Sequence, residues 1–100
     1  DDNATIPEQF ALHQNYPNPF NPSTQISFDV PQGGDFIVLS IYNILGQNVK
    51  TIASGVLNPG RYTMDWNATD EMGNPVASGI YFYELRSPSF TSRKKMLLIR

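Results

Sequence analysis

Gln14-Asn15-Tyr16-Pro17-Asn18-Pro19-Phe20-Asn21-Pro22, followed at once by Ser23-Thr24-Gln25-Ile26-Ser27-Phe28-Asp29-Val30, is the stretch on which the reading of this chain turns. Three prolines within six residues fix φ, remove three backbone donors and push each preceding residue towards extended geometry. Helix and central strand are both excluded there. Asn18 and Asn21 suit Asx turns, while Tyr16 and Phe20 supply two aromatic anchors for docking the segment on a packed surface. A disordered proline-rich linker fits less well, because such linkers seldom carry aromatics directly before a strand. The strand itself is plain: Ile26, Phe28 and Val30 share one face.

Outward from this point the chain reads as strands separated by turn residues. Phe10 to Leu12 makes a short first strand upstream. Pro31 to Asp35 turns the chain, and Phe36 to Asn43 follows with Ile37, Leu39 and Ile41 inward and the Ser40 side more exposed. Gly46 takes positive φ in the tight connection 43–47. Asn48 to Ala53 returns, and Asn58-Pro59-Gly60 fits a type II turn. Tyr62, Met64 and Trp66 line one face of the next strand. After the polar loop Asn67 to Pro75, Gly79 marks a bulge where the backbone is closely approached. Ile80 to Arg86, apolar on both faces, is the central strand, and Phe90 to Ile99 the last. About seven short strands at regular spacing predict an all-β, immunoglobulin-like antiparallel sandwich.

One hundred residues suffice for one core and argue for a binding or structural module over an enzyme with a deep cleft. With no cysteine, disulfides and thiolate metal sites are excluded. No apolar run reaches the length of a membrane span. The polar lead Asp1 to Gln9 reads as a linker from an upstream passenger, with the domain over residues 10–100. The first thirty-five residues carry no Lys or Arg, whereas four of the seven basic residues fall in the last eight positions. So local a basic end does not make a nucleic-acid surface.

The proline segment with Thr24, Ile26 and Phe28, then Ile41-Tyr42-Asn43, Leu45-Gly46-Gln47 with Val49, Gly60, Trp66, Gly73-Asn74-Pro75-Val76-Ala77-Ser78-Gly79-Ile80-Tyr81-Phe82-Tyr83 and Lys94-Lys95-Met96 resemble the C-terminal sorting domain of type IX secretion cargo. The chain is also similar to the immunoglobulin-like domain of flagellar hook-capping proteins. The resemblance implies a module at the end of secreted or surface proteins of Bacteroidetes, read by the type IX translocon after the cargo reaches the periplasm. A surface sortase commonly removes such a domain. The motif positions carried over are Pro17, Asn18 and Pro19, then Gly79 and Tyr81, then Lys94, Lys95 and Arg100. Independently of the family, a last strand that combines Arg93, Lys94, Lys95 and Arg100 with apolar neighbours suits a receptor that adds a strand, if it lies at a sheet edge. The same lysines also serve simply to keep an edge strand from aggregating.

No cofactor and no catalytic residue are expected: His13, the one histidine, has no triad spacing around it. Asp65, Asn67 and Asp70, with Glu71, are oxygen donors at a spacing that can hold Ca²⁺, and Asx-capped turns account for the same residues. Two further readings stay open. Tyr62, Trp66, Tyr81 and Tyr83 would make a sugar-stacking platform of a carbohydrate-binding module if exposed, although strand alternation places them inward. A structural module that self-associates through its edge strands is the other. The sequons Asn3-Ala4-Thr5 and Asn67-Ala68-Thr69 are too short to inform.

Overall fold

In the computed structural model, which describes residues 6–100, seven strands follow in order: β1 (Ala11–Leu12), β2 (Thr24–Val30), β3 (Asp35–Tyr42), β4 (Asn48–Leu57), β5 (Gly60–Trp66), β6 (Gly79–Ser87) and β7 (Phe90–Leu98). They form two antiparallel sheets, β1-β2-β5 and β4-β3-β6-β7. This is the immunoglobulin-like β-sandwich that the strand count predicts. Asn3, Ala4 and Thr5, and most of the expected linker, lie outside the described residues; Pro7, within that lead, is already buried.

Period-two alternation explains the core. Ile26, Phe28 and Val30 of β2 face Ile37, Leu39 and Ile41 of β3 and Tyr81, Tyr83 and Leu85 of β6, all within one apolar cluster. Trp66 closes that cluster near one end, its ring 5.4 Å from Tyr81 edge-on and 5.8 Å from Phe20. Phe10 stacks on Phe90 at 5.2 Å where β1 approaches β7. The 43–47 hairpin forms as expected, with Gly46 at φ +81 and the Asn43 Oδ1 accepting from the N–H groups of Leu45 (2.9 Å) and Gln47 (3.0 Å).

Four local expectations fail for tertiary reasons. Ser40 is buried, since β3 runs between β4 and β6 and its outer face is closed over from both sides. β4 runs on through Gly55 to Leu57, and Gly60 takes φ +155 instead of the +80 of a type II turn, because β4 and β5 belong to opposite sheets and the link must cross between them. Gly79 pairs with Leu98 in unbroken register, with no bulge and no atom near the position of an added Cβ. What demands glycine is its φ of +150. Finally, Phe20 is an anchor at 2% exposure, but Tyr16 stands 78% exposed.

Candidate functional site

The proline segment and the last strand, at opposite ends of the sequence, form one surface. Phe20 pairs in parallel fashion with Leu98: its N–H donates to the Leu97 carbonyl, and its carbonyl accepts from the Ile99 N–H, both at 3.0 Å. The Leu97 N–H donates to Asn18 Oδ1 (3.0 Å), and Gln14 Nε2 donates to the Lys95 carbonyl (2.9 Å). A segment with three prolines cannot offer a regular ladder, so it covers the edge with two backbone bonds and two side-chain amides. Asn18, Ile80, Lys95 and Leu97 meet at a shallow cleft along this seam.

The segment is held from beneath. The Tyr83 hydroxyl donates to the His13 carbonyl (2.7 Å) and accepts from the Asn15 N–H (2.8 Å). Burial pushes this phenol up to about 12, with the Asn15 bond opposing. Asn15, 3% exposed, donates through Nδ2 to Thr24 Oγ1 and to the Pro17 carbonyl, which also accepts from Thr24 Oγ1. Every buried polar group here has a partner, as a low-dielectric site requires.

The motif positions therefore fall into three situations. Asn18 lies against β7 with Lys95 beside it, Pro17 turns to the β2 side where its carbonyl accepts from Asn15 and Thr24, and half-buried Lys94 pairs with Tyr83 in β6. Tyr81 lies inward against Trp66 and donates to the Ala77 carbonyl (2.6 Å); burial raises its pKa and the Arg100 charge lowers it. Arg100 clamps the loop between β5 and β6, donating to the carbonyls of Val76 (2.7 Å) and Ala68 (2.9 Å). Sequence reasoning named Phe20 as an anchor and Leu97 within the last strand, but missed Gln14 and the pairing that joins the two stretches. The signal available was an amide directly before a Pro-rich segment, but nothing local names its distant acceptor.

Strand addition along the whole of β7 is not open. β7 is the edge strand, yet its outward groups from Lys95 to Ile99 are taken by the proline segment. By alternation Thr91 and Arg93 also turn their backbone groups outward, and among the described residues no hydrogen bond covers those. Arg93 packs its guanidinium over Tyr42 (5.1 Å) and reaches Glu84 at 3.2 Å.

Elsewhere, Asp65 is exposed on β5, Asn67 Oδ1 accepts from Thr69 Oγ1 (2.6 Å), and Asp70 Oδ1 accepts from the N–H groups of Met72 and Asn74. Asp65 and Asn67 line one groove that Asp70 does not join, and among the described residues no three His, Cys, Asp or Glu side chains group as metal ligands. His13 Nε2 lies 3.2 Å from Asp29. The sugar-stacking platform is overturned: Trp66 (1%), Tyr81 (7%) and Tyr83 (0%) are buried between the sheets, where no sugar can lie on them. No helix of the described residues is long and apolar enough to cross a membrane.

An immunoglobulin-like sandwich whose opening segment is strapped to its closing strand is the class these features define. The chain belongs to the FlgD Ig-like domain family, whose model matches residues 15–88. No curated protein matches it. Among solved structures it is similar to dimeric latent PorU from Porphyromonas gingivalis, at 20% identity and a TM-score of 0.71, covering 98% of this chain and 10% of that one. PorZ, described as an essential bacterial surface component of the type-IX secretion system of the same organism, matches at 24% identity and a TM-score of 0.61 over 89% of this chain and 11% of its own. FlgD from P. aeruginosa matches at 15% identity and a TM-score of 0.58, over 94% and 74%. The chain thus spans about a tenth of PorU and PorZ, and at these identities the likeness is one of fold.

Proposed function

We propose that this chain is a non-catalytic C-terminal sorting module that directs an upstream cargo through the type IX secretion system to the cell surface or medium. The translocon and a surface sortase are its partners. The supporting observation is the strap: the two stretches that carry the resemblance at either end of the domain meet where Asn18 and Phe20 bond to Leu97 and Ile99, with Lys95 beside Asn18. A receptor that reads both reads a folded domain, because only the fold brings the two stretches together. The Lys95 ammonium beside half-exposed Ile80 and Leu97 offers charge and apolar contact in one place.

The test is export of a fluorescent reporter fused to residues 1–100, in a host with an intact type IX system and in its translocon mutant. Deleting 93–100 would strip buried Met96 and Leu98 from the core and so confound folding with recognition. The informative variant is Lys95→Ala, whose side chain lies on the exposed face beside Asn18 and leaves the core intact. Export that requires the translocon and drops in Lys95→Ala, with an unchanged unfolding transition, supports the reading. Periplasmic retention of the parent fusion in both hosts refutes it.

A further inference from the structure

Tyr16 is a puzzle that the sorting role does not absorb. Its backbone exchanges two hydrogen bonds with Gln25 (3.0 and 2.8 Å), and its neighbours Asn15 and Pro17 are tied into the fold, yet its ring stands 78% exposed. A rigid, exposed aromatic is a surface already ordered for a ligand. Gln25 in turn pairs with Asp65. Paired residues of antiparallel strands project to the same side, so Tyr16, Gln25 and Asp65 form a row across the outer face of the three-stranded sheet, with neighbouring Cβ atoms about 5 Å apart. Ser23 and Asn67 continue the row's flank, and these side chains with Pro17 line a groove of about 580 Å³, within the range of small-ligand sites.

We infer that this groove binds a neutral oligosaccharide. A pyranose presents a flat C–H face and a rim of vicinal hydroxyls. The Tyr16 ring suits the first; the planar Gln25 amide, the Asp65 carboxylate and the Asn67 Nδ2 suit the second, since each offers paired or directional donors and acceptors to adjacent hydroxyls. Phosphate and other anions are disfavoured, because the lining contains a carboxylate and no Lys or Arg. A protein partner is disfavoured too, since the groove is wide open and encloses no buried apolar pocket to serve as hot spot. The site is distinct from the inward tyrosines and Trp66, which are sealed in the core.

The experiment is a ¹H–¹⁵N chemical-shift titration of residues 1–100 with cellohexaose, mannohexaose and chitohexaose in turn. Saturable shifts at Tyr16, Gln25, Asp65 and Asn67 are expected with at least one of them. Tyr16→Ala should weaken that binding about tenfold or more, the scale of one lost aromatic stack, while Tyr16→Phe keeps most of it. Asp65→Ala, on an exposed face, provides a second variant that folds independently of the first. Absence of saturable shifts with all three saccharides, or binding that survives both Tyr16→Ala and Asp65→Ala, overturns the proposal.

Discussion

Phe20 and Leu98 lie side by side as partners in a parallel bridge, although they are seventy-eight positions apart along the chain. Through this pair the proline segment and the last strand stabilise one another. Loss of either loosens the other.

Phe20→Ala should therefore be costly. The side chain is 2% exposed and packs against Trp66, so its removal costs about 3–5 kcal/mol by cavity formation. Denaturant unfolding measures the loss. Amide exchange at Leu97 and Ile99 should accelerate beyond the global change, because the strap that accepts and donates there is loosened. A loss below about 1 kcal/mol would show that the core closes without the strap.

Tyr83 couples the core to the proline segment through its hydroxyl. Tyr83→Phe keeps the ring but leaves the Asn15 N–H without its acceptor, at a cost of about 1–3 kcal/mol. The same group predicts alkaline sensitivity. Its folded pKa is raised from 10.0 to about 12, so the protonated form is favoured by folding. The associated stability is fully present below pH 10 and is lost as pH rises from 10 towards 12. Unfolding free energies measured across that range should fall more steeply in the parent than in Tyr83→Phe.

Gly79→Ala should destabilise the domain even though open space awaits the methyl. The position has φ +150, where an L-residue is strained, and about 1–3 kcal/mol is expected from urea titration. A neutral result would mean that the start of β6 relaxes to negative φ without disturbing its pairing with Leu98.

Arg100 and Lys95 should separate structure from recognition. Arg100→Ala removes two bonds to the Val76 and Ala68 carbonyls and should cost about 1–2 kcal/mol. Lys95→Ala, on the exposed face, should change stability by no more than about 0.5 kcal/mol. Thermal unfolding of the two variants, compared with their reporter export, distinguishes a clamp from a contact.

Most strands were legible because each has a period-two pattern bounded by its own breakers. β2 and β6 are the clearest, since Ile26, Phe28 and Val30, and Tyr81, Tyr83 and Leu85, occupy alternate positions that only an inward sheet face can satisfy. Ser40 shows where that reasoning stops: a small polar residue on an alternating strand reads as exposed, and only the identity of the flanking strands reverses it. Gly60 and Gly79 show the same limit for turns, as each was correctly placed at a special backbone position but given the wrong geometry. Local sequence signals the need for glycine; the direction in which the chain must next travel selects the φ value.

The candidate surface was half legible. Pro17, Asn18 and Pro19 at one end, and Lys94 and Lys95 at the other, stand out by composition, but nothing in the sequence joins them. Tyr16 and Phe20, two aromatics of one short segment, were equivalent in sequence and opposite in fate.

The sequence alone determined the all-β class, the turn positions, the inward residues of each strand and the rigidity of the proline segment, all of which follow from local φ preference and alternation. Only the tertiary structure decided that this segment lies along β7 and covers its edge from Lys95 to Ile99, that Arg100 clamps a loop, and that Tyr16 stays outside. Those outcomes depend on which distant donors and acceptors would otherwise be left unpaired, and hydrogen bonds between remote parts of a chain leave no periodic trace in its sequence.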